Sequence, residues 1–249
     1  MMPPHAQSIA QTGGIACGKS SVTRLFIQRY QLPVIDADDV AHRIIEPGTK
    51  TYFRVVKAFG QVNDIFQDDQ KGVTNPPIDR KKLGAIVFGD DQARRKLGSL
   101  MNSAIAWRMM FMLASLFLKG SPLVILDVPL LFETGMHRIC HSVVVVSTTP
   151  EVQLQRLLAR DGAGEADARA RIASQKMTAA DKAKRADVIL ENSGDLSKLE
   201  MQLMNAYPSI KKTSLVHKVL SRWPFFLIGC LLLSAFVSKI LPSSQQNEL

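Results

Sequence analysis

The chain has 249 residues, 46% of them hydrophobic and 21% charged, the proportions of a globular protein with ample core and not of a disordered one. Its net charge is +9, but five Lys/Arg and one acidic residue lie from Lys211 onward, leaving 26 basic against 21 acidic residues in the body; that excess is too modest and dispersed to argue for nucleic acid as a partner. Three scattered cysteines, Cys17, Cys140 and Cys230, rule against a disulfide framework or zinc site and suit a reducing compartment, and the N-terminus lacks the basic region and apolar run of a secretory signal.

The first predicted element is a short strand, Ser8-Ile9-Ala10-Gln11, in which Gln11 stands where a buried central strand wants an apolar residue. It leads into Gly13-Gly14-Ile15-Ala16-Cys17-Gly18-Lys19-Ser20, spaced as a phosphate-binding loop. Glycines there let successive backbone N–H groups turn inward around phosphate oxygens, and the positive end of the following helix adds to the attraction. Lys19 would reach the outer phosphates and the Ser20 hydroxyl would ligate Mg²⁺; the plainer alternative is a glycine-rich turn before Lys-Ser. Val22, Leu25, Phe26 and Arg29 recur at helical spacing, so a helix is expected through Tyr30.

Leu32-Pro33-Val34-Ile35 reads as a second strand ending in Asp36-Ala37-Asp38-Asp39, with a helix after it. If it lies parallel beside the first, Asp36 or Asp38 comes near phosphates held by Lys19, while one of the three aspartates serves as the helix N-cap. Residues 46–99 read as helices and loops, including a helix from Arg80 capped by Asp79. Met101 to Leu118 is an apolar helix whose Met and Phe residues are expected in the core.

Pro122 to Glu133 gives a continuous apolar run with Asp127 at the end of its strand, a carboxylate suited either to Mg²⁺ through water or to a strand-end turn. Ser142-Val143-Val144-Val145-Val146-Ser147 is β-branched and too short for a buried helix, and Thr149-Pro150-Glu151 starts the next helix. Arg156 and Arg160 lie one turn apart on it, where a mobile segment could lay them over transferring phosphates. Glu165 with Arg169 and Asp167 with Arg171 are spaced as helical ion pairs. A last strand at 187–191 and a helix at 196–206 complete an alternation of strands and helices that implies a doubly wound parallel α/β sheet.

Trp223 to Ser238 carries no charge and lies between Arg222 and Lys239. Extended to Leu241 it approaches the length of a spanning helix, the alternative being a buried core helix. The expected organisation is a body over 1–210, a basic linker over 211–222, a transmembrane helix over 223–241 and a polar tail over 242–249. Lys211, Lys212, Lys218 and Arg222 before the apolar run place the body on the cytosolic side; a soluble cytoplasmic or peroxisome-associated protein is the alternative.

Taken together, Thr12 to Ser20, Ile35-Asp36-Ala37-Asp38, Pro129-Leu130-Leu131-Phe132-Glu133, Arg156 with Arg160, and Ala186-Asp187-Val188-Ile189 resemble the dephospho-coenzyme A kinase family, from about Ile9 to Tyr207. The resemblance implies a P-loop, nucleoside-monophosphate-kinase-like three-layer αβα fold with a helical acceptor-binding region over about 46–120 and a lid over about 151–185. It implies ATP as phosphoryl donor and dephospho-coenzyme A as the small-molecule substrate, phosphorylated at its ribose 3′-hydroxyl; a kinase for another nucleotide and a catalytically weakened, membrane-tethered binder are the alternatives. By the same resemblance Gly13, Gly14 and Ala16 to Ser21 hold ATP phosphates, with Cys17, Gly18, Lys19, Ser20 and Ser21 among them. Asp38 is the catalytic base, assisted by Lys19 and by Arg160 as lid arginine. Asp36, Pro129, Leu130, Leu131 and Glu133 face the acceptor, and Asn192 approaches the adenine. The chain departs from the family pattern at Gln11, at Cys17 and Ser21, where Ser and Thr are usual, and at Asn102-Ser103, where His-Pro is usual. The hydrophobic tail is familiar in plant forms, which points to a eukaryotic source, and Cys17 is expected to make the protein sensitive to thiol reagents with ATP protecting. Oligomeric state is not legible in the sequence.

Overall fold

The computed structural model describes residues 7–60, 64–70, 72–162 and 164–211; the expected linker beyond Lys211, transmembrane helix and polar tail lie outside them. Five strands form one sheet: β1 (Gln7–Gly13), β2 (Val34–Asp36), β3 (Leu123–Asp127), β4 (Ser142–Ser147) and β5 (Val188–Glu191). All four pairings are parallel and the spatial order is β2-β3-β1-β4-β5, so the strand order reverses around the central β1. The connecting helices that frame the cleft are α1 (Lys19–Tyr30), α2 (Ala37–Arg43), α3 (Lys50–Val55), α4 (Arg80–Gly89), α5 (Asp91–Leu118), α6 (Pro150–Asp161), α7 (Glu165–Ala173), α8 (Ala179–Ala183) and α9 (Leu196–Lys211). Two apolar cores flank the sheet, one built with α2, α3, α4 and α5, the other with α1 and α9.

The expected parallel α/β sheet is present, and β3 and β4 behave as their sequences require. Leu123 to Asp127 is buried at every position, and Val143 to Val146 are at most 6% exposed, because helices cover both sheet faces and leave no solvent side to alternate with. Caps fall where the sequence puts them, on Asp79 before α4 and on Thr149 before α6.

Several expectations change. β1 is the seven-residue centre of the sheet, longer than expected. Gln11 is fully buried within it because its amide donates to Lys19 O at 2.8 Å and Thr23 Oγ1 at 2.9 Å, tying strand to helix where an apolar side chain would only fill space. β2 does not lie beside β1: β3 sits between them, pairing Gln11 with Asp127 on one side and Asp36 with Asp127 on the other. On α5, Met109, Leu113 and Phe117 are core residues, but Trp107 and Phe111 of the same apolar stretch face outward. The expected Asp167–Arg171 pair is also replaced, since Arg171 reaches Asp161 at 2.5 Å, whereas Glu165–Arg169 forms at 2.6 Å.

Candidate active site

At the carboxyl end of β1 the chain turns through Gly14 to Gly18 and enters α1. The turn needs backbone shapes that few side chains allow. Gly18 has φ +80° and Ala16 φ +56°, both in the left-handed region, and a Cβ on Gly18 would stand 2.0 Å from Asn192 Nδ2. Gly13 is small for another reason, since a Cβ there would meet Val146 O of β4 at 2.7 Å. The first turn of α1 has no side-chain cap, so its N–H groups are presented toward the loop.

Side chains from three separate elements hold this turn open. Asn192, just after β5, donates its amide to Cys17 O at 2.9 Å. Gln153 on α6 donates to Ile15 O at 2.7 Å, and the Ile15 N–H donates to Gln175 Oε1 at 2.8 Å. Lys19 pairs with the Asp127 carboxylate, whose other oxygen accepts from Thr23 Oγ1 at 2.9 Å. Burial pushes the Asp127 carboxyl above the usual range even though Lys19 and Thr23 pull the other way.

The three aspartates after β2 have three different tasks. Asp36 caps α2, its Oδ1 accepting from the Asp38 N–H at 2.8 Å and the Asp39 N–H at 3.4 Å. Asp39 pairs with Arg43 at 2.9 Å on the outer surface. Asp38 alone among them turns its side chain into a cavity of about 550 Å³ that Gly13 to Ser20 also line.

Pro129, Leu130 and Glu133 form one wall of that cavity, and Arg156, Arg160, Gln175, Lys176 and Lys182 form the wall contributed by the segment over 151–185. Arg156 Nη1 and Glu133 Oε2 are buried without a hydrogen-bond partner among the described residues. Arg160 is held by its neighbour Asp161 through two bonds of 2.7 and 3.1 Å. The cavity therefore brings together the loop glycines, Ala16, Cys17, Lys19, Ser20, Asp38, Pro129, Leu130, Glu133, Arg156 and Arg160. Asp127 sits directly behind Lys19, and Asn192 behind the loop backbone rather than at its open side.

Several expected site residues stand elsewhere. Asp36 is taken up by its cap and does not line the cavity, and neither does Ser21. Leu131 is fully buried in the core beside α5, so it supports the wall without facing a ligand. Asn102 and Ser103 are exposed on α5 and also lie outside the lining. Cys17 is 1% exposed, and burial, the largest influence on it, raises its thiol above the usual value. A buried thiol with a diminished thiolate fraction is a poor nucleophile, which reverses the expected sensitivity to thiol reagents.

Lys182 was not legible as a site residue. On α8, among alanines and in a polar segment, it carries no periodic signal of burial, yet it is 4% exposed. Its ammonium donates to Gly13 O at 3.2 Å and Pro129 O at 2.9 Å, with Glu133 Oε1 at 3.9 Å. Pro129 O also accepts from Thr12 Oγ1 at 3.1 Å, so the wall over 129–133 is latched to the end of β1. Burial lowers the Lys182 pKa and Glu133 opposes the shift. Gln153 and Gln175 were missed for the same reason, since amides at ordinary surface-like positions reveal their targets only in three dimensions.

The family model for dephospho-CoA kinase matches residues 7–198. The chain is 41% identical over 197 residues to the dephospho-CoA kinase of Geobacillus kaustophilus, covering 79% of this chain and 93% of that protein. It is 37% identical over 205 residues to the dephospho-CoA kinase of Oryza sativa subsp. japonica, covering 82% and 84%. A crystal structure of a Thermus thermophilus protein superposes with a TM-score of 0.68 at 30% identity, covering 82% of this chain and 98% of that one.

Two outcomes follow from the packing. Iodoacetamide at neutral pH is expected to leave native Cys17 unmodified and to label it after denaturation, as mass spectrometry of the loop peptide would read; rapid native labelling would contradict its burial. Lys182→Met is expected to lower urea-measured stability by about 3 kcal/mol, because Glu133 loses its buried partner, and Lys182→Met with Glu133→Gln to recover part of the loss. Strictly additive losses would mean that the two charges do not interact.

Proposed function

This chain belongs to the dephospho-CoA kinase family, and we propose that it transfers the γ-phosphoryl group of ATP to the ribose 3′-hydroxyl of dephospho-CoA, giving coenzyme A. The observation that carries the reading is one cavity in which a phosphate-binding loop, an uncapped helix start, a free carboxylate and two arginines meet.

Residues 1–210 act as the kinase domain, with the acceptor-binding helical region over about 46–120 and the lid over about 151–185. Backbone N–H groups of Ala16 and of Gly18 to Ser20 at the start of α1 hold the ATP phosphates, and Lys19 leaves Asp127 to reach the outer ones. Asp38 takes the proton of the acceptor hydroxyl. Arg160 and Arg156, whose buried Nη1 lacks a partner among the described residues, stabilise charge on the phosphoryl group in transfer. Pro129, Leu130 and Glu133 form the acceptor wall.

The donor set also fits a magnesium ion held through few protein oxygens. Ser20 offers a hydroxyl in the cavity and Asp127 a carboxylate behind it. When bound, the ion would neutralise phosphate charge. Asn192 contributes from behind, by fixing the loop that faces the nucleotide.

The apolar stretch 223–241 is a single C-terminal anchor that leaves the kinase domain in the cytosol, and this appendage is the reason to read the chain as a eukaryotic, plant-like form.

The assay is ADP release on adding dephospho-CoA, compared with nucleoside monophosphates. Dephospho-CoA alone is expected to stimulate turnover, and equal stimulation by other nucleotides would reassign the acceptor. Asp38→Asn is expected to reduce kcat by about 10²–10⁴-fold with little change in ATP affinity; full activity would remove Asp38 as base. Alkaline carbonate is expected to leave the full chain with membranes, and its release would dismiss the anchor.

A further inference from the structure

The outward face of α5 is unusual for a helix of a water-soluble body. Trp107, Phe111 and Leu118 are 67%, 68% and 64% exposed, and their spacing places them in one row about 16 Å long. An amphipathic helix normally presents polar residues on that side. The inward face is satisfied, since Met109, Leu113 and Phe117 are buried where α5 packs on α2, α3 and α4. By length and composition α5 could cross a membrane. Its inner face belongs to the protein core, however, so the outer row can only lie on a surface.

The end of the described chain says which surface is near. Gln7 donates its backbone N–H to Pro122 O at 2.8 Å and its side-chain amide to Lys211 O at 3.4 Å. The described chain therefore ends beside Pro122, four residues past the last residue of α5. Residues 212–222 can span up to roughly 36 Å when extended, enough for the apolar stretch that follows to enter a bilayer against which the row rests. Arg108 and Lys119 border the row, cations suited to anionic lipid headgroups. Gln7 and Lys211 also mark the amino end of the sheet, opposite the cavity at the carboxyl end of β1.

We propose that the row Trp107, Phe111 and Leu118 is a second membrane contact, through which the kinase body lies on an anionic lipid bilayer. The inference rests on the reading of 223–241 as an anchor. Three apolar side chains alone would bind lipid weakly; a tether converts docking into an intramolecular step at an effective concentration on the order of millimolar. Aromatic side chains favour the headgroup boundary, and docking on this side leaves the cavity open to soluble substrates.

The sequence contains two tryptophans, Trp107 and Trp223, which makes the test direct. The full chain carrying Trp223→Phe is reconstituted into phosphatidylcholine–phosphatidylserine vesicles with lipids brominated near the headgroup end of the acyl chain, and Trp107 emission is read. A Trp107→Phe companion reports Trp223 in the same way. Quenching and a blue shift of Trp107 that vanish when Phe111→Ser and Leu118→Ser are added, with Trp223 quenching retained in the companion series, are expected. Trp223 quenched while Trp107 stays water-exposed would overturn the second contact and leave the anchor standing. A Trp107 already shielded before vesicles are added would overturn it in favour of cover by the tail or by a second copy. An unquenched Trp223 would overturn the anchor and the inference with it.

Discussion

The constraint on which the rest of this structure depends is that a backbone turn must expose its own N–H groups to a ligand and still keep one shape. Residues 14–18 lie between β1 and α1, and backbone bonds hold them only through Cys17 N–H to Gly14 O at 3.3 Å and Ser21 N–H to Gly18 O at 3.0 Å. Side-chain amides supply the rest: Asn192 holds the Cys17 carbonyl, Gln153 the Ile15 carbonyl and Gln175 the Ile15 N–H. These residues come from distant parts of the chain, and only the reversal of strand order around β1 brings them to one place. Gln11 serves the same end from beneath, fixing the first turn of α1 to the strand that feeds it.

Charge in the cavity follows a second rule, that a charge taken from water is matched by a partner or left to await one. Lys19 meets Asp127, Lys182 meets two carbonyls and stands near Glu133, and Arg160 meets Asp161. Arg156 Nη1 and Glu133 Oε2 are the buried cavity atoms without a partner among the described residues. They come from different segments of the lining, so a ligand with an anionic group for one and a hydrogen-bond donor for the other would complete both.

The two ends of the sheet have separate tasks. The carboxyl ends of β1, β2 and β3 deliver the loop and the aspartates. The amino end gathers Gln7, Pro122 and Lys211, the last described residue. The cavity and the last described residue therefore lie at opposite ends of the sheet.

By itself the sequence determined the alternation of strands and helices, the loop from Gly13 to Ser20, the caps at Asp79 and Thr149, and strand β4, since local spacing and β-branched runs carry those signals. Local pattern narrowed the carboxylates after β2 to three, and the family resemblance singled out Asp38 as base and set Asp36 against the acceptor. The structure places Asp38 in the cavity but makes Asp36 the cap of α2 and pairs Asp39 outward, assignments that depend on where each side chain points. The tertiary structure likewise decided that Gln11 is a tie and not a flaw, that Leu131 and Cys17 are buried, and that Lys182 belongs to the cavity. Pattern reveals a residue's local period, whereas these roles are set by partners more than a hundred residues away or by the packing of a neighbouring element, and no local period encodes them.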